Sequence, residues 1–334
     1  MHFQKIFPIF AKEGPFCLFM SDMKRRIYFK DILTHCYQRS ADDGVLFYTY
    51  GDHLVYFTLY CTLARKHGIQ VLSLCQMPDH LHDSIRAKRK EDMSHFKREV
   101  NTFFSRQWND WGCTKGHVLR KRYGWAQKFG DKKGRSNLVY VGNNPVERRL
   151  VEKAEDYRWN YLAYASSDHP FSKKLVIRDA RWPLQKAIKE VKAQFKAGKP
   201  LNYALLQRLF KPLTREEGLQ LTDFIITTYN CIDYKAANQF FDNGEDMISS
   251  MHATTGSEHD INEVFIGKSD VPYNQLTRFL LENRLVEDIH DILSMTTEEK
   301  FDLFLRLRPH TEAMDEQIAK FLHMPLTTAS NGNC

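Results

Sequence analysis

The chain has 334 residues, of which 43% are hydrophobic and 27% are charged, a composition typical of a soluble globular protein with room for two domains. No apolar run approaches the ~20 residues that span a bilayer, so we expect no membrane association. The apolar patches near residues 1–20 are interrupted by charged residues, Pro and Gly, and no secretory signal peptide is expected. The seven cysteines include no Cys-x-x-Cys pair, which argues against a zinc ribbon or disulfide framework and predicts a reduced, cytoplasmic compartment.

The net charge of +7 is unevenly distributed along the chain. Residues 1–165 hold 28 Lys and Arg against 17 Asp and Glu, whereas the remainder holds 20 against 24. A basic first half beside an acidic second half predicts that the first half binds a polyanion such as a nucleic acid. The alternative is an ordinary basic domain that binds nothing.

The composition divides the chain into four parts. We predict an N-terminal extension at 1–26, a first domain at 27–165, a helical accessory domain at 175–325 that could bind DNA or a partner, and a flexible tail at 326–334. Residues 165–174 read as the linker between the two domains.

The first domain shows both strand and helix periodicities. In chain order these predict a strand at 27–38, a helix at 52–67 that stops at Gly68, strands at 70–76 and 80–85 that form a hairpin, and a helix at 91–111. A short helix is predicted at 136–143, followed by a second helix that starts at Asn144 as its N-cap, with Pro145 next and Glu147 completing a capping box.

The second half is predicted to be helical. Its apolar periodic segments lie at 184–196, 201–210, 215–229, 273–284 and 297–307. Capping-box patterns begin at Thr214 and Thr296. Residues 314–324 resemble the first helix of a helix-turn-helix, but the tail that follows contains no Lys or Arg. A helical bundle that docks on a partner or on the first domain is therefore favoured over a DNA-reading module.

The stretch 112–135 is glycine-rich, basic and interspersed with aromatic residues. Cations that follow phosphates and rings that stack on bases are how proteins hold single-stranded nucleic acid. The residues predicted to contact phosphates are Lys121, Arg122, Lys132, Lys133 and Arg135. The alternative is a solvated basic loop whose aromatic side chains enter the core.

A His-Leu-His sequence follows the Met77-Pro78-Asp79 turn. Side chains alternate along a strand, so His80 and His82 are expected on one face, where two imidazoles can bind one divalent cation. About sixty residues later stands Tyr140, whose hydroxyl is a weak nucleophile with an ordinary pKa near ~10. A metal ion that polarises a phosphodiester would make such a tyrosine useful, and covalent attack would conserve the bond as a phosphotyrosine.

Two segments carry a family resemblance: QMPDHLH at 76–82 and YVGNNPVERRLVEKAEDYRWNYLAY at 140–164. They resemble the HUH single-tyrosine transposases, in particular the REP-associated tyrosine transposases. The resemblance covers roughly residues 27–165. It implies an α+β fold, with a ferredoxin-like antiparallel sheet that carries helices on one face and an all-α C-terminal domain beyond it.

The resemblance also implies a chemistry. His80 and His82 would hold Mg²⁺ or Mn²⁺, and Tyr140 would attack single-stranded DNA near a hairpin, leaving a 5′-phosphotyrosine and later rejoining the strand. Asn144, four residues after Tyr140, is either a third metal ligand or a helix N-cap. The protein would act in the cytoplasm, associated with the nucleoid, as a monomer or a homodimer.

Four residues depart from the family pattern: Asp79, Asp83, Gly142 and Asn143. They motivate an alternative in which the protein is a catalytically inactive DNA-binding regulator with the same fold. A third hypothesis, a zinc hydrolase, lacks a clear third ligand. Three further aromatic residues of the second segment are expected to be packing residues: Tyr157, Trp159 and Tyr164.

Overall fold

The computed structural model describes residues 27–252 and 266–325. The predicted extension at 1–26 and the tail at 326–334 lie outside the described residues. The first half contains, in order, β1 (Thr34–Arg39), α1 (Tyr50–Lys66), β2 (Gln70–Gln76), β3 (His80–Arg86), α2 (Lys90–Trp111), β4 (Gly124–Gln127) and α3 (Asp131–Glu147). The second half contains α4 (Trp182–Lys196), α5 (Tyr203–Phe210), α6 (Arg215–Tyr229), α7 (Tyr234–Asn238), α8 (Gly244–Ser250), α9 (Val271–Glu282), α10 (Asp291–Ser294), α11 (Thr297–Leu307) and α12 (Asp315–Phe321).

The four strands form one antiparallel sheet in the order β2-β3-β1-β4. With α1 and α2 as the crossover helices, this is the ferredoxin-like arrangement that was predicted, and the α+β class with a helical C-terminal region is confirmed. In the register of the two central strands, Arg39 pairs with His80 and Tyr37 with His82. The histidines therefore lie on a strand that has a neighbour on each side.

Both faces of the sheet are covered. Alternate residues of β3 point towards α1 and α2, and the carboxylate of Asp83 accepts hydrogen bonds from Tyr60 on α1 and Lys97 on α2. The other residues point towards α3, where the hydroxyl of Ser84 donates to Oδ1 of Asn137 at 2.8 Å. This alternation decides which side chains can meet α3.

The predicted strand at 27–38 is shorter in the structure, because β1 begins at Thr34. The strand β4 was not predicted, since its four residues lie within the glycine-rich basic stretch. The hairpin strands agree with the predicted bounds to within one residue, and the helices of 52–67 and 91–111 to within two.

The predicted helix break at Asn144 is wrong. The helix α3 runs without interruption from Asp131 to Glu147 and contains Pro145 in its interior, so Asn144 is not an N-cap. Pro145 lacks the amide that would donate to the Val141 carbonyl, and two side-chain amides donate to the carbonyls on either side of it. Nδ2 of Asn144 donates to the Tyr140 carbonyl at 3.2 Å, and Nδ2 of Asn160 donates to the Gly142 carbonyl at 3.2 Å.

The helical half packs against the first half, and one cluster of buried apolar residues extends through both. The predicted capping boxes at Thr214 and Thr296 are present. The last described helix, α12, contacts the first half directly, because the hydroxyl of Tyr48 donates to the Phe321 carbonyl at 2.8 Å. None of the described helices is long and apolar enough to cross a membrane.

A buried polar cluster joins the two halves at the N-terminus of α1. The Asp52 carboxylate accepts hydrogen bonds from Nε2 of His290 and from the hydroxyl of Tyr203, both at 2.7 Å. Burial would lower the pKa of His290, but the adjacent Asp52 and Asp288 carboxylates outweigh it and raise that pKa to about 10. Burial would likewise raise the pKa of Asp52, and the His290 imidazolium holds it below its ordinary value.

We expect His290→Gln to lower the free energy of unfolding by about 3–5 kcal/mol at pH 6, because it leaves Asp52 buried without its cation. The imidazolium stabilises fully below its unfolded pKa of ~6.5, and that contribution is lost as pH rises through about 10. Urea unfolding from pH 6 to pH 10 should therefore show the two proteins converging at high pH. The exposed His95→Gln is the matched control, and a pH-independent difference would contradict this assignment.

Candidate functional site

The two predicted histidines lie side by side on the α3 face of β3. Both side chains are fully buried, at 0% exposure, and their ring centroids are 5.0 Å apart. Nδ1 of His80 donates to Oδ1 of Asp79 at 2.5 Å. A hydrogen bond of 3.0 Å joins Nδ1 of His82 to Nε2 of His35 on the neighbouring strand. Each ring is therefore held through Nδ1, which leaves Nε2 as the nitrogen that it would present to a cation.

The structure brings Tyr140 to this pair. The centroid of its ring lies 5.4 Å from that of His82, with the planes nearly perpendicular, and 5.7 Å from that of His35. Tyr140 is 4% exposed. The helix α3 positions it, because that helix lies against β2 and β3 with Tyr140 on its inner side.

His35 is a member of this cluster that sequence reasoning missed. It lies within the predicted strand at 27–38, but it is remote in sequence from the His-Leu-His motif. Only the β1–β3 register, which pairs Tyr37 with His82, brings His35 to the same face. A register assignment between the first strand and the hairpin would have found it.

Asn144 lies one turn after Tyr140 on the inner side of α3 and is 2% exposed. Its side-chain nitrogen donates back to the Tyr140 carbonyl, which leaves Oδ1 as the atom that could coordinate a cation. Its role as a third metal ligand stays a prediction. Within 27–252 and 266–325, no group of three or more His, Cys, Asp or Glu side chains could hold a metal ion.

Asp79 joins the histidine pair to the C-terminal region. Its carboxylate accepts hydrogen bonds from His80 and from Nζ of Lys320 on α12. Burial would raise the pKa of Asp79, but its interactions with His80 and Lys320 outweigh that effect and hold the pKa well below its ordinary value. Asp79 is thus a buried carboxylate that accepts hydrogen bonds from an imidazole and from an ammonium group.

The segment that precedes α9 covers the same end of the sheet. Asp270 accepts a hydrogen bond of 2.6 Å from Arg148, at the C-terminus of α3, and its amide donates to the Arg148 carbonyl at 3.0 Å. Burial, together with the negative charge of Asp79, raises the pKa of Asp270 despite its pairing with Arg148. In this conformation the helical half and α3 together bury the site.

Asp83 does not take part in the site. It occupies a core position, and β3 continues past it to Arg86. Its side chain points to the opposite face from the histidines, where it pairs with Lys97 and accepts a hydrogen bond of 2.5 Å from Tyr60. Burial would lower the pKa of Lys97, and the Asp83 charge raises it above its ordinary value.

Gly142 has a packing role. A Cβ atom there would lie 2.2 Å from Sδ of Met251, so glycine allows the segment after α8 to contact α3. The helix continues through Gly142, and the residue is buried between Tyr140 and Pro145.

The predicted phosphate contacts fall into two groups. Lys121 and Arg122 are exposed in the loop before β4, and Lys132 and Lys133 are exposed in the first turn of α3. Arg135 instead makes a two-pronged contact with Asp246, at 2.6 and 2.9 Å, which ties it to the helical half. Whether any of them contacts DNA stays a prediction.

The other aromatic residues of the second segment pack within the protein. The Trp159 indole stacks on His53 at 4.1 Å. The hydroxyl of Tyr157 donates to the Gln76 carbonyl at 2.8 Å, and that of Tyr164 donates to Asp223 at 2.6 Å. These contacts explain the three aromatic residues as packing residues, and no catalytic role is needed for them.

Comparisons with known proteins give little further information. No protein-family model matches the chain, and no curated protein matches it. A solved structure of a REP-associated tyrosine transposase bound to a REP hairpin is similar to it at 18% identity, covering 40% of this chain and 79% of that one, with a TM-score of 0.36. At that TM-score, the function of this chain has to be inferred from its own site geometry.

We expect Lys97→Met to lower the free energy of unfolding by about 3–5 kcal/mol, because it leaves Asp83 buried without a cation. The double variant Asp83→Leu with Lys97→Met should recover most of that loss. The neighbouring exposed Arg98→Met serves as the control. Urea unfolding measures these three variants and the single Asp83→Leu, and a loss in the double variant equal to the sum of the two single losses would contradict the pairing.

Proposed function

We propose that the protein is a metal-dependent, transposase-like enzyme that nicks and rejoins single-stranded DNA near hairpins through a 5′-phosphotyrosine at Tyr140. The observation that carries this proposal is the contact between Tyr140 and His82, whose ring centroids are 5.4 Å apart although the residues lie far apart in the sequence. Its cellular setting would be the cytoplasm, in association with the nucleoid.

The reaction assigns a role to each member of the cluster. Oη of Tyr140 would attack the phosphorus, the bond from phosphorus to O3′ would break, and O3′ would leave as a hydroxyl after taking up a proton. The phenolic proton would be released to solvent as the oxygen attacks, which balances the proton that O3′ takes up, and His35 would keep the ring of His82 in place through their hydrogen bond. Attack by a 3′-hydroxyl on the phosphotyrosine would reverse these steps and rejoin a strand.

The proposed cation is Mg²⁺ or Mn²⁺, and the two imidazoles favour Mn²⁺ because Mg²⁺ prefers oxygen ligands. Nε2 of His80 and of His82 would supply two ligands, with Oδ1 of Asn144 as the proposed third, and phosphate oxygens or water would complete the coordination. The hydrogen bonds of the two Nδ1 atoms, to Asp79 and His35, orient the rings as outer partners do in metal sites. When bound, the cation would polarise the phosphodiester.

The burial of Tyr140 and both histidines means that DNA has to displace part of the helical half before it can react. The ion pair between Lys320 and Asp79 joins α12 to the carboxylate that holds the ring of His80. Movement of α12, with the segment before α9, would uncover the site while leaving the sheet and α3 in place.

A second candidate function is a catalytically inactive DNA-binding regulator with the same fold. The same burial favours it, because a nucleophile that never becomes accessible cannot react. The two functions differ in whether a covalent product ever forms.

We expect the purified protein with Mn²⁺ to cleave a hairpin-bearing single-stranded oligonucleotide that contains its target, leaving protein attached to the 5′ end. Tyr140→Phe should reduce the product by at least about 10³-fold, because it removes the attacking oxygen. Denaturing gels of labelled DNA measure the product. Tyr157→Phe, at a partly buried tyrosine outside the histidine cluster, is the control, and a product that persists in Tyr140→Phe would overturn the proposal.

Lys320→Gln removes the positive charge that faces Asp79 from α12. We expect it to increase the yield of the Tyr140-dependent product several-fold, because the covered conformation is no longer held by that ion pair. Lys300→Gln, on the neighbouring helix α11, is a control of equal charge. If DNA binds yet neither the native protein nor Lys320→Gln forms any adduct on target DNA, the regulator is the correct assignment.

A further inference from the structure

A basic cleft lies on the α2 side of the sheet, away from the tyrosine. One wall is an outward-facing stripe of α2: Ser94, Arg98, Asn101, Ser105 and Asn109. These residues recur every three or four positions, beside the buried stripe that begins at Met93. The other wall is the loop from Gly116 to Tyr123, and the cleft holds about 520 Å³.

The charge of this cleft is of one sign. Among the described residues that line it, none is acidic, and four are Arg or Lys: Arg98, Arg106, Arg120 and Lys121. Arg120 is already paired with Asp43, at 2.7 and 2.8 Å. Within the described part of the chain, Arg98, Arg106 and Lys121 form no ion pair, so their charges face solvent and the cleft. Asparagine, serine and tyrosine side chains add hydrogen-bonding groups around them.

The walls are held in place by the protein itself. Nδ2 of Asn109 donates to the Gly116 carbonyl at 2.8 Å, and Oδ1 of the same side chain accepts from Thr114 at 2.8 Å. The loop is thereby tied to the last turns of α2. A rigid groove of this kind loses less entropy on binding than a flexible basic loop.

One end of the cleft reaches the sheet at the end where His80 lies. The amide of Arg120 donates to the Arg39 carbonyl at 3.0 Å, and Arg39 is the residue paired with His80 across β1 and β3. A chain that leaves the histidine site around this end of β1 would therefore enter the cleft beside Lys121.

We propose that this cleft binds the phosphate backbone of single-stranded DNA that flanks the strand to be cut. The inference deepens the proposed function and rests on it for the identity of the polyanion. Arg98, Arg106 and Lys121 would contact successive phosphates, and the half-buried ring of Tyr123 offers a surface for one base. Binding here needs no movement of the helical half, so DNA could bind while Tyr140 is still covered.

The test is fluorescence anisotropy with a labelled thymidine oligonucleotide of about 20 nucleotides, over a series of salt concentrations. Arg98→Ala with Arg106→Ala should weaken binding on the order of ten-fold at low salt and reduce the slope of log K against log salt by about 1.4, which is 0.7 for each lost phosphate contact. Arg98→Lys with Arg106→Lys should keep the slope. The control is Arg278→Ala with Arg306→Ala, two exposed arginines on helices of the second half.

The outcomes separate this inference from the proposed function. Equal affinity and slope in the cleft variant and the control would overturn the cleft assignment, whatever happens to cleavage. Tyr140→Phe should bind the oligonucleotide as the native protein does, so a loss of cleavage alone leaves the cleft intact. Displacement of the DNA by poly-glutamate as effectively as by an oligonucleotide of equal charge would identify an acidic protein as the occupant and overturn the assignment to DNA.

Discussion

The carboxylate of Asp79 is the interaction on which the arrangement of the site depends. It lies at the turn before β3 and accepts hydrogen bonds from His80 within the first half and from Lys320 in the last described helix. A buried carboxylate is stable only when its charge is matched. Asp79 therefore fixes the ring of His80 and, by the same charge, holds α12 over the histidines. The orientation of the His80 ring and the position of α12 over the site thus both depend on Asp79.

The second constraint is the alternation of side chains along β3. It sends His80, His82 and Ser84 to α3 and sends Asp83 to α1 and α2. The negative charge of Asp83 is thereby separated from the histidine site by the thickness of the sheet. Its ion pair with Lys97 stabilises the packing of α2, and the polar chemistry of the opposite face is left to the histidines and Tyr140.

The inner and outer faces of α2 also differ in chemistry. Apart from Lys97, its inner stripe is apolar and completes the core, whereas its outer stripe carries arginine and amide side chains and lines a cleft in which no described residue is acidic. If DNA binds there, recognition and reaction occur on opposite faces of the sheet. The end of β1 beside Arg120 connects them.

Much of this could be predicted from the sequence. The hairpin and the helix at 52–67 have clear periodicities and a glycine stop, and the pairing of Tyr140 with the His-Leu-His motif followed from a resemblance over two short segments. The strand β4 was missed because its four residues carry no apolar alternation. The helix break at Asn144 was predicted from Pro145, but α3 packs against β2 and β3 and continues through the proline, which no local pattern reveals.

The partners of the site that lie far away in the sequence could not be predicted, for a different reason. His35 enters the cluster only through strand register, and Lys320 lies 241 residues from Asp79. No local pattern encodes a contact of that separation. The helical half covers the site only in the folded chain. Whether it moves away distinguishes an active enzyme from an inactive DNA-binding regulator.

The most direct test of the central claim is to locate the covalent bond. A target oligonucleotide that cannot be religated is incubated with Lys320→Gln and Mn²⁺, and the tryptic peptides are then examined by mass spectrometry. Cleavage after Arg135 and Arg148 gives a peptide whose sole tyrosine is Tyr140. We predict that this peptide carries the 5′-phosphorylated DNA remnant. An adduct on any other peptide, or none on target DNA that the protein demonstrably binds, would contradict a nucleophilic role for Tyr140.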